Sequence, residues 1–192
     1  MTLPTEFLVY IAEVLERLGI PYHVGGSVAS SAHGMYRASA DIDVVIDPSA
    51  EQLEALGRAL ETDFYVSRPA MAEALSHRST FNAIHEQTSF KIDFFIKGAT
   101  PFDAEELRRS IRQAVGDEQG HSVLLKSPED TILRKLEWFR RGGEVSERQW
   151  QDVLSILAAG RGQLDEAHLE RWSRDLGVTD LLERARREVA DL

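Results

Sequence analysis

The 192-residue chain contains no cysteine, which excludes disulfides and thiolate-held metals. It lacks any apolar run near the ~18–20 residues that cross a bilayer as a helix, and its N-terminus lacks a basic-then-apolar secretory pattern. With neither signal, a cytoplasmic protein that does not enter the membrane is expected. Positive charge is scarce: 22 Lys and Arg stand against 32 Asp and Glu, a formal net charge of −10. That argues against wholesale coating of a nucleic acid, though not against a local basic groove. The phosphate-binding pattern GxxxxGK[ST] is absent, and the six histidines show no metal-binding spacing such as HxxxH, so all read as structural or surface residues.

Hydrophobic residues make up 43% of the chain, enough for a real core in one domain or in a domain with a helical appendage. Phe7, Leu8, Ile11, Val14, Leu15 and Leu18 recur at helical spacing, and Gly19 ends that helix. A short strand, Tyr22–Val24, runs into Gly25-Gly26-Ser27 and a short helix that closes at Gly34. A strand over 42–46 follows. Ser49 and Gln52 then form a capping-box pattern at the head of a helix through Leu53, Leu56 and Leu60. A short strand near Tyr65-Val66 and a small helix around 69–75 come next. The runs 80–85 and 89–95, separated by EQT, predict a hairpin. Residues 103–115 read as helix, placing Arg108, Arg109 and Arg112 on one solvated face. His121–Leu125 reads as a last edge strand.

From Pro128 onward the pattern is helical, over 128–141, 147–159, 165–176 and 180–190. The shift in composition predicts an α/β core over residues 1–126 and a helical subdomain over 127–192. The fold class expected is α+β: a twisted mixed sheet flanked by helices, then the helical subdomain. Trp138 and Trp150 fall in that second part and read as packing residues.

The chemistry starts with ADIDVVID. In a strand, Asp41 and Asp43 share one face while Ile42 points to the other. Two such carboxylates repel unless a cation or proton lies between them. In SFKIDFFIK, Asp93 sits mid-strand, sharing a face with Lys91 and Phe95. A carboxylate in so apolar a strand is costly unless paired or metal-bound. If the two strands are neighbours, three carboxylates meet, the hard oxygen set that Mg²⁺ or Mn²⁺ takes together with substrate phosphates. Two such ions would activate an attacking hydroxyl and steady a leaving pyrophosphate. Gly25-Gly26-Ser27 suits the same chemistry, because a glycine turn at a helix start lets backbone amides approach a phosphate.

The ordered element GGSVASSAHGMYRASADID resembles the nucleotidyltransferase superfamily of the DNA polymerase β type. It is most similar to the small bacterial AbiEii-type abortive-infection and toxin branch and its uncharacterised relatives, whose pattern is GG[ST], helix, loop, then R-x-[ST]-x-D-h-D with h apolar. Arg37 and Ser39 match along with Asp41 and Asp43. The segment SPEDTILRKLEWFRRGGEVSERQWQDVLSIL resembles the same family's tail at Lys135, Arg140 and Asp152, while Gln149 stands where relatives often carry an aspartate.

The resemblance implies an enzyme that moves a nucleoside monophosphate from a triphosphate such as ATP or CTP to an acceptor hydroxyl. It implies metal ligands at Asp41, Asp43 and Asp93. A triphosphate cradle follows at Gly25, Gly26, Ser27, Arg37 and Ser39, with Lys135 assisting catalysis and supporting roles for Arg140 and Asp152. Implied acceptors are an RNA 3′ end such as that of transfer RNA, a protein or a small molecule. An antitoxin partner is implied too. The alternative is a non-catalytic nucleotide- or protein-binding module on the same fold.

Overall fold

The computed structural model describes residues 3–35, 41–115 and 120–191. The chain divides into two compact units: residues 1–28 with 38–126, and residues 29–37 with 127–192. The division falls inside helix α2, Gly26–His33.

The first unit is built on a seven-stranded sheet. Its strands are β1 (Tyr22–Val24), β2 (Asp41–Ile46), β3 (Phe64–Val66), β4 (Thr80–His85), β5 (Lys91–Ile96), β6 (Ile111–Ala114) and β7 (Ser122–Leu125), in the spatial order β3-β4-β5-β2-β1-β7-β6. The sheet is mixed: β2 runs parallel to β5 and β1 parallel to β7, while the other neighbours are antiparallel. Strict alternation explains its two faces. Ile42, Val44 and Ile46 on β2, and Ile92, Phe94 and Ile96 on β5, are buried; the residues between them are intermediate. Full burial of each large apolar side chain contributes about 1.5–3 kcal/mol. Phe81 stacks on Phe94 with ring centroids 4.9 Å apart.

Helix α1 (Leu3–Arg17) lays Leu8, Ile11, Val14 and Leu15 into that core, packing on β2, β7 and α3 (Ala50–Leu60). The capping box at α3 forms as the sequence predicts. Ser49 Oγ accepts from the Gln52 amide at 3.2 Å, and Gln52 Oε1 accepts from the Ser49 amide at 2.9 Å. Gln52 Nε2 also donates to the carbonyls of Leu18 and Gly19, fastening the end of α1 to the start of α3. Helix α4 (Arg68–His77) follows β3 and packs on α3 and β4.

Two expectations fail at the far edge. The helix expected over 103–115 is shorter: α5 spans Pro101–Arg108, and residues 111–114 form β6. Ser110 Oγ donates to the Leu107 carbonyl at 2.7 Å just past the helix end. Beyond it, antiparallel pairing with β7 satisfies backbone groups that a continued helix would leave open on that strand. Pairing between distant strands thus overrides local helix propensity. Consequently β7 is an interior strand between β1 and β6, and β6 is the edge. Arg112 lies on β6 and pairs with Glu16 at 3.1 Å, off the helical face expected for it.

The helices of the second unit are α6 (Pro128–Arg141), α7 (Glu147–Ala159), α8 (Glu166–Asp175) and α9 (Thr179–Ala190). Leu133, Leu136, Phe139, Trp150, Val153, Ile156, Leu169 and Leu182 are buried among them. Charged groups lock the helices together. Ser127 caps α6 and donates to Asp130 Oδ2 at 2.9 Å, while Asp130 Oδ1 meets His168 Nε2 of α8 at 2.6 Å. Trp150 behaves as the packing residue expected. Trp138 does not: it is 53% exposed, with the Arg141 guanidinium 5.6 Å from its ring centroid.

Candidate active site

Parallel pairing of β2 with β5 sets Asp43 beside Asp93 and Asp41 beside Lys91. Neighbouring strands lie about 4.8 Å apart, so the acids predicted to meet do share one face of adjacent strands. Antiparallel pairing of β4 with β5 brings Asn82 beside Asp93. The same row continues through Gly25, whose amide donates to the Asp43 carbonyl at 2.9 Å.

Gly26 is the tightest point. Its φ is +53°, and a Cβ placed there would stand 1.7 Å from Asp43 Oδ2. Glycine is therefore required twice over, by backbone conformation and by the carboxylate packed against it. Helix α2 starts at this turn with no acidic residue in its first turn, and Ser27 is buried there. The first turn of α2 adds no acid of its own to this helix start, and a helix N-terminus has the polarity that favours an anion.

Among the described residues, no three acidic, histidine or cysteine side chains are drawn into a preformed metal cage. The expected convergence reaches the shared strand face and stops there. On that face, Lys91 Nζ lies 2.7 Å from Asp93 Oδ2. That hydrogen bond, with the added fields of Asp93, Asp41 and Asp43, holds the Lys91 ammonium above its usual value despite some loss of water around it. The donor set nonetheless suits a hard divalent cation: carboxylate oxygens on one face of two adjacent strands.

A second cation was missed by reading the sequence. Lys126 follows β7, and its amide donates to the Val24 carbonyl at 2.9 Å, continuing the pairing with β1 by one residue. Its Nζ pairs with Glu106 of α5 at 2.8 Å, both side chains being buried. A Cβ on Gly25 would stand 3.9 Å from that Nζ. The signal available was the alternation of β7: Val123 and Leu125 face the core, so Lys126 belongs to the face that carries Asp43.

In the second unit, Lys135 Nζ lies 2.7 Å from Asp152 Oδ2, with both side chains mostly buried. Arg140 grips Asp180 through both carboxylate oxygens, at 2.8 and 2.7 Å, and donates to the Gly177 carbonyl. It thereby ties the end of α6 to the start of α9. Gln149 sits at the head of α7, where its amide donates to the capping Ser146 hydroxyl at 3.4 Å. Arg37 and Ser39 lie outside the described residues.

A mixed sheet with this order of glycine turn, DxD strand and parallel third-acid strand defines the nucleotidyltransferase fold, and solved structures bear that out. An antigenic nucleotidyltransferase-like protein from Paracoccidioides brasiliensis superposes with a TM-score of 0.59 at 19% identity, covering 94% of this chain and 90% of that one. ANT(2″)-Ia, solved with adenylyl-2″-tobramycin, gives a TM-score of 0.61 at 17% identity, covering 91% of this chain and 97% of the other. At these identities the likeness establishes the fold. No curated protein matches the chain in sequence. Residues 24–191 match the family described as "Nucleotidyl transferase AbiEii toxin, Type IV TA system", and the chain belongs to it. It is accordingly a nucleotidyltransferase.

Proposed function

We propose that the chain transfers a nucleoside monophosphate from a nucleoside triphosphate to an acceptor hydroxyl at the face formed by β2 and β5. The observation that carries this reading is the parallel register that sets Asp43 beside Asp93 with Gly26 pressed against the Asp43 carboxylate. Asp41, Asp43 and Asp93 are the residues that would hold Mg²⁺ or Mn²⁺. A bound divalent ion there supplies charge stabilisation for the phosphoryl group and the leaving pyrophosphate.

The chain's own groups do the rest. Gly25, Gly26 and Ser27, at the start of α2, receive phosphate oxygens through backbone amides and a hydroxyl. Lys126, held by Glu106, lies beside Gly25 at that turn. Asp93 Oδ accepts the proton of the acceptor hydroxyl, which forms the new phosphoester bond as pyrophosphate leaves. Lys135, given a catalytic role by the family resemblance, has its ammonium oriented by Asp152. The acceptor class is an RNA 3′ end, such as that of transfer RNA, or a protein or small-molecule hydroxyl. Family membership supports a place in a toxin–antitoxin pair. No helix among the described residues is long and apolar enough to cross a membrane.

The test is incubation with each α-labelled nucleoside triphosphate, Mg²⁺ or Mn²⁺ and a cell extract, followed by separation of RNA from protein. Label on one acceptor class, with pyrophosphate released and with no transfer by Asp43→Asn, is the expected result. Wild-type protein that labels nothing under any of these conditions would instead favour the non-catalytic binding module.

A further inference from the structure

We propose that Lys91 is a positioning residue of this site: its ammonium stands in for the charge of a divalent ion on the acid face and holds Asp93 until a metal displaces it. The inference rests on the reading of Asp41, Asp43 and Asp93 as metal ligands and adds to it the group that controls access to one of them.

Three observations carry it. Register makes Lys91 the direct neighbour of Asp41 across the parallel pair, two residues from Asp93 on the same strand and the same face. Its Nζ is within 2.7 Å of Asp93 Oδ2, so a carboxylate oxygen of the donor set is already engaged by a cation of this chain. The Lys91 side chain is 43% exposed while that of Asp93 is 20% exposed. The lysine, on its four-carbon stem, therefore has solvent to move into, whereas the aspartate is held by its strand. Lys126, near the same face, differs on this last point. Lys126 and Glu106 are 8% and 4% exposed, so their pair has no such exit.

An internal cation on a ligand weakens metal binding by the fraction of time that ligand is occupied, as any competing state does. It also screens the clustered acids when no metal is bound, so the fold does not depend on the ion. When a divalent ion arrives, the Lys91 ammonium moves to solvent and Asp93 Oδ2 becomes available to the ion or to the acceptor hydroxyl. Asp93 thus joins the site only once the ion is there.

The test reads metal binding directly. Free Mn²⁺ is titrated by electron paramagnetic resonance in the wild-type protein, in Lys91→Met and Lys91→Gln, and in the same variants carrying Asp93→Asn. Removing the competing ammonium is expected to tighten Mn²⁺ binding roughly fivefold, the upper end for a half-exposed ion pair. In the Asp93→Asn background the same substitutions should change little, because the contact they remove is already gone. With EDTA present, Lys91→Met should melt below wild type, and saturating Mn²⁺ should close that gap. Equal Mn²⁺ affinity in wild type and both Lys91 variants, or equal tightening with and without Asp93, overturns the role of Lys91 while leaving the metal site intact. No Mn²⁺ binding to any of these proteins overturns the metal reading and the Lys91 assignment together.

Discussion

The two units use charge in opposite ways. In the helical unit, acids are matched by bases: Lys135 with Asp152, Arg140 with Asp180, His168 with Asp130. On the sheet, three acids sit on one face of two adjacent strands, and the same lysine feels the field of all three. Matched pairs between helices fix geometry. Like charges gathered on neighbouring strands cost stability, and such clusters mark places kept for chemistry. The contrast assigns roles: substitutions on the acid face should remove activity and spare the fold, and those at the buried Asp130–His168 pair should do the reverse.

The largest effect expected is on the acid face. Asp43→Asn keeps shape and removes charge, so nucleotide transfer should fall by roughly 10³-fold or more, the scale of losing a charge-stabilising group in a catalytic site. Thermal unfolding should move little, within about 1 kcal/mol, because the like-charge neighbour is relieved at the same time. Steady-state transfer and a melting curve on one sample check both halves. A variant that retained activity but lost stability would erase the contrast.

The mirror experiment is Asp130→Ala. Asp130 is fully buried, accepts from the Ser127 hydroxyl and meets His168. Its removal leaves buried polar groups unsatisfied and should cost about 3–5 kcal/mol in chemical denaturation, the range for breaking a buried network. Under conditions where the variant stays folded, its transfer rate per folded molecule should approach that of wild type.

Gly26→Ala is expected to do some of each. The new methyl would meet Asp43, and a non-glycine residue would sit at a φ of +53°. Strain of this kind costs about 1–3 kcal/mol. Displacement of the Asp43 carboxylate should lower transfer at the same time, and more than the loss of stability accounts for.

Much of this arrangement was legible in the sequence, for physical reasons. The alternation of DIDVVI and KIDFFI fixes which face each acid takes, and strand pairing converts that into proximity. The capping box of α3 is local chemistry, and it forms as written. What escaped depended on distant partners. Residues 111–114 become strand because β7 offers an edge, which no window around Arg112 reveals. Lys126 gains meaning only beside Gly25 and Glu106, residues far from it in sequence. Trp138 shares its helix with buried Phe139, and only the packing of the helices tells which aromatic faces out.

The smallest effect expected concerns the sheet unit alone and reads out as pH dependence. Tyr22, on β1, donates to Glu16 Oε1 at 3.0 Å and accepts from the Leu124 amide at 3.3 Å, which joins α1 to the β1–β7 pair. Burial is the main force that pushes the Tyr22 phenol up to about 12. The ordinary value is near 10. In the folded state the proton is therefore retained through a range where the unfolded chain has already lost it. The stability it contributes is full below pH 10 and is lost as pH rises from 10 towards 12. The loss should approach about 3 kcal/mol, from a shift of that size at roughly 1.4 kcal/mol per pH unit. Denaturant unfolding of wild type and Tyr22→Phe between pH 8 and 12 checks it. The phenylalanine variant should show a shallower alkaline decline than wild type while starting from lower stability at pH 8, because the two hydrogen bonds are gone. Parallel declines in both proteins would mean that the phenol is not the titrating group, and that the alkaline sensitivity of the sheet unit has another source.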